Sequence, residues 1–254
     1  MQKSLRHDKM YISMLGKNKK EKKRKINVPS AHTAGEQISM EDLDHDLRVR
    51  IDRIQDEFIE GFNFIRKHPR SVTFFGSARF TEENEHYKKA QELALMLGDE
   101  GFDVITGGGP GIMEAANRGA KDNVGGGKSL GINIELPYEQ ILNPYVDEHI
   151  SFYYFFTRKV LLTFSAEAYI YFPGGYGTLD EFFEILTLKQ TKKISDVPII
   201  CVDKHFWGHL DSFIQTTLRG EFKTIDEKDP RLYTITDDLE EVVEIVKAAP
   251  LRQE

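Results

Sequence analysis

The sequence predicts an α/β fold in which helices cover both faces of a doubly wound, mainly parallel sheet, giving three layers. From about residue 70 onward, short apolar runs alternate with helical patterns, which is typical of strand–helix–strand units. Several runs, such as 168–172, are almost wholly apolar, as expected for strands buried on both faces. Glycine-containing turns follow three of these strands. Ligands bind at the carboxyl ends of such strands, so the three turns should converge on one crevice.

The individual elements follow from the spacing of apolar residues and from the turns that separate them. Strands are predicted over 72–75, 103–106, 129–135, 168–172 and 197–202, and helices over 84–99, 111–122, 153–165, 178–192, 207–218 and 237–248. The connections between them are short, so consecutive elements should pack as neighbours.

An additional helix is predicted at 40–66, where apolar residues recur every three or four positions and Ser39 can cap the start. The residues before it are polar and basic and show no periodicity. We therefore expect a disordered basic tail (1–35), an N-terminal helical extension (36–69) and an α/β domain (70–254).

The charge pattern separates the tail from the rest of the chain. The chain has 34 basic and 41 acidic residues and a net charge of −7, yet segment 17–25 holds seven basic residues and one acidic residue. The acidic remainder argues against a nucleic-acid-binding core, and the absence of an 18-residue apolar run argues against a membrane span. With no signal-peptide pattern and a single cysteine, Cys201, we expect a cytoplasmic protein.

Segment 172–181, FPGGYGTLDE, joins a predicted buried strand to a predicted helix. Three glycines lie around Tyr176, leaving few side chains between a ligand and the backbone. The free N–H groups and the dipole of a helix start favour an anion such as a phosphate. Thr178 and Glu181 also fit the capping-box pattern, in which both residues only satisfy the helix start. The segment alone leaves both interpretations of Glu181 open.

A second glycine-rich turn, 107–111, precedes another helix. It is not a dinucleotide fingerprint, because Ile112 stands where glycine or alanine is needed. Glu114 follows in the first turn of the helix, where it either caps the helix or binds ribose hydroxyls. Gly76 and Ser77 form the third strand end that should face the crevice.

Arg158 and Lys159 lie among aromatic residues on the helix that leads into the 168–172 strand. Arg158 is the best candidate for an inward-facing cation close to the glycine turns. The alternative is that the pair only extends its charged ends to solvent from an apolar face. His205 and His209 have the spacing of metal ligands, but a nearby third ligand is missing, so we expect no metal.

Taken in order, 107–120, 156–159 and 173–181 resemble the LOG family, proteins long mislabelled as lysine decarboxylases, whose signature pairs GGGxxG with PGGxGTxxE. The resemblance covers about residues 70–248. It implies a Rossmann-like fold and a phosphoribohydrolase, which cuts the N-glycosidic bond of a nucleoside 5′-monophosphate, such as AMP or a cytokinin riboside 5′-monophosphate, to free base and ribose 5-phosphate. It further implies a homodimer or larger homo-oligomer and no cofactor.

The resemblance also assigns roles by position. It makes Arg158 and Glu181 the catalytic pair. The remaining residues expected to bind substrate or phosphate are Gly76, Ser77, Gly108, Gly109, Glu114, Lys159, Gly174, Gly175, Tyr176, Gly177, Thr178 and Thr187. The chain departs from plant-type members at Phe155 and Phe156, where those have Met-His.

A non-catalytic alternative remains open. Carriers of the molybdenum cofactor share this fold and similar glycine turns, and their ligand also presents a phosphate. Such a protein would bind a nucleotide or a phosphorylated pterin and release no base. A lysine decarboxylase is the weakest interpretation, because it would need pyridoxal phosphate and a Schiff-base lysine.

Overall fold

The structure is a computed structural model that describes residues 40–135 and 142–250. The tail expected at 1–35 lies outside these residues. The strands are β1 (Ser71–Phe75), β2 (Asp103–Thr106), β3 (Ser129–Ile134), β4 (Glu148–Phe152), β5 (Ala168–Tyr171), β6 (Ile199–Val202) and β7 (Thr234–Thr236). The α-helices are α1 (Met40–Ile65), α2 (Glu85–Asp99), α3 (Ile112–Asp122), α4 (Phe155–Thr163), α5 (Tyr176–Gln190), α6 (Lys204–Phe213) and α7 (Leu239–Lys247). A π-helix (Ile214–Glu221) continues α6, and a short 3-10 helix (Asp229–Arg231) precedes β7.

All seven strands form one sheet in the order β4-β3-β2-β1-β5-β6-β7, and every pairing is parallel. The predicted α/β class, with a doubly wound parallel sheet, is therefore confirmed. β4 and β7, the two edge strands, were not predicted from sequence. β4 alternates between half-exposed and exposed positions until its last residue, and β7 has only three residues, so neither shows the continuous apolar run of a central strand.

Two apolar clusters lie on the two faces of the sheet. In strands, successive side chains point to opposite faces. Phe74 accordingly packs with α2, α3 and α7, whereas the next residue, Phe75, belongs to the cluster with α4, α5 and α6. The C-terminal end of α1 adds Phe64 and Ile65 to this second cluster. The three-layer arrangement thus follows from strands that are apolar on both faces.

The chain order reverses between β1 and β5. These strands are neighbours, with Phe75 paired to Tyr171, but the chain runs outward from β1 to β2 on one side and from β5 to β6 on the other. The helices that follow β1 and β5, which are α2 and α5, therefore pack on opposite faces of the sheet, and such a reversal predicts a crevice at its carboxyl edge. This is the place where an open α/β sheet binds its ligand.

The chain divides into two compact units, Met1–Leu47 and Arg48–Glu254. Every residue of the site described below belongs to the second unit. The three-part division expected from sequence stays a prediction. Over the described ranges, each helix is too short or too polar to cross a lipid bilayer.

Candidate active site

Ser77 ties the three glycine-containing turns together at the carboxyl edge of the sheet. Its N–H donates to the carbonyl of Pro173 at 3.0 Å, and its own carbonyl accepts the N–H of Ile112 at 3.0 Å. The turn after β1 is thus bonded on one side to the turn before α5 and on the other to the start of α3. The structure brings these three turns together, as the fold class predicts.

The helix after the PGGYG turn begins earlier than its sequence indicates. α5 starts at Tyr176 with Gly175 as N-cap, no side chain caps it, and its first turn holds no acidic residue. Thr178 is therefore the third residue of the helix and Glu181 the sixth, so the capping-box interpretation is wrong. A glycine at the N-cap tolerates this geometry, which lets the helix begin before the threonine.

The start of α5 leaves backbone donors for an anion. The N–H of Leu179 donates to the carbonyl of the N-cap residue, Gly175, at 3.1 Å, which is the first bond of the helix. The N–H groups of Tyr176, Gly177 and Thr178 therefore have no acceptor within the helix. The Tyr176 side chain is 94% exposed, so this end of the helix faces solvent. It offers aligned donors and the positive end of the helix dipole to an anion.

The glycines of this turn serve two different purposes. A Cβ at Gly174 would collide with the side chain of Thr178, which is buried. Gly174 therefore allows the turn to close over the first turn of α5. A Cβ at Gly175 or Gly177 would meet nothing within 4 Å, so the space in front of these residues is open.

Arg158 on α4 and Glu181 on α5, the pair predicted to be catalytic, lie side by side. Arg158 Nη1 lies 3.8 Å from Glu181 Oε1, and the two side chains are only 12% and 16% exposed. Arg158 Nε donates to the carbonyl of Ile132 at 2.8 Å, which anchors the guanidinium at the end of β3. Arg158 therefore points inward, and the solvent-directed alternative is wrong for this residue.

Gly107, a residue that the sequence prediction omitted, makes room for Arg158. A Cβ at this position would come within 2.5 Å of Arg158 Nη2 and 2.8 Å of Met113 Sδ. The guanidinium thus packs against the first glycine of the second turn. Its position is set by the 107–111 turn, by β3 and by α5 together.

Burial dominates the electrostatics of the pair. Desolvation raises the pKa of Glu181 to about 7, and the neighbouring Arg158 only partly offsets that rise. Burial likewise lowers the pKa of Arg158. The Tyr171 hydroxyl donates to the backbone carbonyl of Glu181 at 3.2 Å, which holds this turn of α5 over β5. A carboxyl group with a pKa near neutrality can serve as an acid or a base.

A buried amide network, missed by sequence reasoning, supports the second glycine turn. Asn143 donates from its backbone N–H to the Gly108 carbonyl at 2.9 Å and from its side chain to the Gly109 carbonyl at 3.0 Å. The same amide group donates to Asn117 Oδ1, which also accepts a bond from the Thr106 hydroxyl at 2.6 Å. The signal available in the sequence was Asn117, a polar residue on the apolar face of α3.

Glu114 lies between α2 and α3, on the opposite face of the sheet from the helices that carry Arg158 and Glu181. The Tyr87 hydroxyl on α2 donates to Glu114 Oε1 at 3.2 Å, so this carboxylate contributes to the α2–α3 interface. Burial raises the pKa of Tyr87 to about 12, which keeps that hydroxyl protonated. The ribose-binding role expected for Glu114 stays a prediction.

Lys159 of α4 and Thr187 of α5 line the same small cavity. Lys159 Nζ contacts Asp180 at 2.8 Å and Glu184 at 3.1 Å. Thr187 is eleven residues beyond Tyr176, roughly 16 Å along the helix at 1.5 Å per residue. The cavity has a volume of about 400 Å³ and is lined by Lys159, Asp180, Phe183, Glu184, Thr187 and Leu188. The structure thus separates Thr187 from the PGGYG turn of its own chain.

A larger cavity, of about 1020 Å³, is not part of this site. Its lining includes Ile65, Tyr169 and Val197, which lie near the starts of β1, β5 and β6. It therefore opens at the amino-terminal edge of the sheet, opposite the glycine turns. Among the described residues, no group of three or more His, Cys, Asp or Glu side chains could hold a metal ion.

The fold and the site together define a Rossmann-like α/β protein with an uncapped helix start after a glycine-rich turn and a buried Arg–Glu pair. A family model described as "Possible lysine decarboxylase" matches residues 113–246. The chain belongs to this family, which is the LOG family.

Two relatives that resemble the chain are named phosphoribohydrolases. It is 32% identical over 135 residues to the cytokinin riboside 5′-monophosphate phosphoribohydrolase of Mycobacterium tuberculosis, covering 53% of this chain and 70% of the relative. It is 30% identical over 160 residues to the LOG2 phosphoribohydrolase of Arabidopsis thaliana, covering 62% and 71%.

Solved structures agree on the fold. The molybdenum cofactor binding protein of Rippkaea orientalis is 22% identical with a TM-score of 0.51, covering 70% of this chain and 94% of that one. The molybdenum cofactor carrier protein of Chlamydomonas reinhardtii is 22% identical with a TM-score of 0.52, covering 70% and 96%. At these identities the likeness concerns the fold alone.

Proposed function

We propose that this protein is a nucleoside 5′-monophosphate phosphoribohydrolase, which hydrolyses the N-glycosidic bond of a substrate of the AMP or cytokinin riboside 5′-monophosphate type. The products are the free base and ribose 5-phosphate. The observation that carries the proposal is the buried Arg158–Glu181 pair beside the uncapped start of α5. The phosphoribohydrolase names of the two relatives support the same activity.

The start of α5 would bind the 5′-phosphate. The free N–H groups of Tyr176, Gly177 and Thr178 supply donors, and the open space at Gly175 and Gly177 admits the ligand. Glu181 lies beyond the first turn, so its charge is set back from the phosphate. The binding and reacting parts of the site are thereby separated along one helix.

Glu181 would act on the ribose. When the bond between C1′ and the base nitrogen breaks, its electron pair leaves with the base and positive charge builds on the ribose ring, as in other glycoside hydrolyses. A carboxylate fixed nearby stabilises that charge, and it can accept a proton from the attacking water. The water oxygen then bonds to C1′, and the departing base takes up a proton.

Arg158 would orient Glu181 and assist at the base or the phosphate. Its guanidinium has one bond fixed to the Ile132 carbonyl, and Nη1 faces Glu181 without a direct hydrogen bond at 3.8 Å. Nη2 lies against Gly107, so the guanidinium borders the second glycine turn. A cation there can hold an anionic or hydrogen-bonding part of the nucleotide.

The test is to incubate the purified protein with a panel of nucleoside 5′-monophosphates and measure free base and ribose 5-phosphate by chromatography. We expect Glu181→Gln and Arg158→Ala each to lower kcat by about 100-fold or more. Glu92→Gln, an exposed carboxylate on α2, is the matched control and should be unaffected. Turnover close to wild type in either site variant would remove that residue from the mechanism.

A second candidate is a non-catalytic carrier of a nucleotide or of a molybdenum-cofactor-like pterin. The uncapped start of α5 supports it, because those donors would bind any terminal phosphate whether or not Glu181 reacts. Such a protein would bind members of the nucleotide panel by calorimetry and release no base from any of them. The same incubation therefore separates the two candidates.

We also propose that the protein is a cytoplasmic homodimer or larger homo-oligomer. Three aromatic side chains on α4 and α5 support an assembly: Phe155, Phe156 and Phe183 are 57%, 49% and 38% exposed. Apolar groups exposed together are typical of contact surfaces. Light scattering on the purified protein measures the mass, and a single-chain mass at micromolar concentration would contradict the assembly.

A further inference from the structure

Glu57 is a buried carboxylate on α1 that the mechanism above does not use. The residue is 9% exposed, and carboxylates are seldom buried unless they are paired. Its Oε1 accepts the N–H of Tyr153 at 2.8 Å, and its Oε2 accepts the hydroxyl of Thr157 at 2.5 Å. The N–H of Tyr154 lies 3.4 Å from Oε2. All three donors belong to the start of α4.

The helix α4 has no side-chain cap of its own. Its N-cap residue, Tyr154, makes no capping bond. The first N–H groups of a helix have no partner within it, and a negative charge at that end complements the helix dipole. Glu57 therefore places a negative charge at this end of α4, and it ties the two residues before the helix to the Thr157 hydroxyl in its first turn.

The first turn of α4 also sets the position of Arg158. Arg158 directly follows Thr157, and its N–H donates to the Tyr154 carbonyl at 3.2 Å. A rotation of this turn would move the guanidinium away from both the Ile132 carbonyl and Glu181. The contact between Glu57 and Thr157 thus lies one residue before Arg158.

Arg53 holds Glu57 in place from one turn earlier on α1. Arg53 Nε lies 3.6 Å from Glu57 Oε1, and the guanidinium packs 3.8 Å from the centre of the Tyr153 ring. The carboxylate is consequently fixed on both sides, by a cation of its own helix and by the donors of α4.

We propose that Glu57 is a positioning residue: its carboxylate fixes the first turn of α4 and thereby holds Arg158 against Glu181. The kinetic part of this inference rests on the proposed hydrolase function. Its structural part does not, because the position of Arg158 can be measured without substrate turnover.

Glu57→Gln is the direct test, since it keeps the size of the side chain and turns one acceptor oxygen into a donor. We expect kcat for base release to fall about tenfold or more, through misplacement of Arg158. KM should change by a smaller factor than kcat, because the N–H groups at the start of α5 that are proposed to bind the phosphate are untouched. Glu60→Gln, an exposed carboxylate on the same helix, should behave as wild type.

Thr157 tests the same contact from the side of α4. Thr157→Val removes the hydroxyl at nearly constant shape and should lower kcat. Thr157→Ser keeps the hydroxyl, so its kcat should stay close to that of the wild type. The double variant Glu57→Gln/Thr157→Val should lose little more than Glu57→Gln alone, because both changes break one interaction. Fully additive losses would contradict the proposal. If Glu57→Gln does not fold, the Thr157 pair decides the question.

The Nε–H resonance of Arg158, assigned by its loss in Arg158→Lys, reports the guanidinium position directly. We expect it to shift or broaden in Glu57→Gln and to stay unchanged in Glu60→Gln. A folded Glu57→Gln protein with the wild-type resonance would overturn the proposal. If the wild-type protein releases no base from any nucleotide, the proposed function fails, and this resonance alone decides the role of Glu57.

Discussion

Arg158 Nη1 and Glu181 Oε1 lie 3.8 Å apart in a crevice where both side chains are largely shielded from water. The separation is too long for a direct hydrogen bond and short enough for strong electrostatic coupling. The pair is therefore held by its surroundings, including the Ile132 carbonyl, Gly107 and the α4 and α5 backbones.

The first prediction concerns the pH dependence of turnover. Burial raises the pKa of Glu181 to about 7, so the reactive carboxylate forms as the pH rises through neutrality. We expect kcat for base release to increase from pH 6 to pH 8, following one ionisation. Measuring kcat at saturating substrate removes the effect of phosphate ionisation on binding. A rate that is flat across this interval would contradict the assignment of Glu181 as the reacting carboxylate.

The ionisation of Glu181 should also make the free energy of unfolding depend on pH. The pKa of Glu181 is raised in the folded state, so its contribution favours folding at low pH and is lost as the pH rises through about 7. Glu181→Gln mimics the protonated form. We expect this variant to exceed the wild type in unfolding free energy by roughly 1–3 kcal/mol at pH 8 and by much less at pH 5. Urea denaturation at the two pH values measures this, and an equal difference at both would refute the linkage.

Gly107→Ala should impair turnover more than stability. The added Cβ would lie 2.5 Å from Arg158 Nη2 and 2.8 Å from Met113 Sδ, both at the ends of flexible side chains that can move aside. Moving Arg158 away from Glu181 should lower kcat by about tenfold or more. Gly208→Ala, in the middle of α6 with nothing within 4 Å of the new Cβ, is the control. It should keep full activity and gain about 0.5–1 kcal/mol of stability.

Gly177→Ala should raise the free energy of unfolding and weaken the binding of ribose 5-phosphate. Gly177 is the second residue of α5 and has free space around a Cβ, so alanine favours the helix by roughly 0.5–1 kcal/mol. The new methyl group would take up part of the open space beside the start of α5 and should weaken binding of ribose 5-phosphate by about tenfold. Thermal denaturation and calorimetry measure the two effects. Unchanged affinity would place the phosphate elsewhere.

Much of the fold could be predicted from sequence because its signals are local. The central strands are apolar on both faces, and glycine-rich turns mark their carboxyl ends, so the parallel sheet and its ligand edge follow from a single pattern. The edge strands β4 and β7 were not predicted, because they are partly exposed and therefore lack the continuous run of apolar residues that marks a central strand. The residue types of the predicted site, including the Arg158–Glu181 pair, came from motif spacing and family resemblance.

The sequence by itself determined which chemical groups the crevice contains: glycines with accessible backbone, one arginine and one glutamate in order along the chain. Only the tertiary structure decided what each group does there. The start of α5 at Tyr176 set Glu181 beyond the cap positions, and packing around it raised its pKa to about 7. Long-range contacts, from Asn143 to the glycine turn and from Glu57 to α4, fixed the geometry. Burial and bonding between distant segments depend on the assembled fold, and no local pattern of residues encodes them.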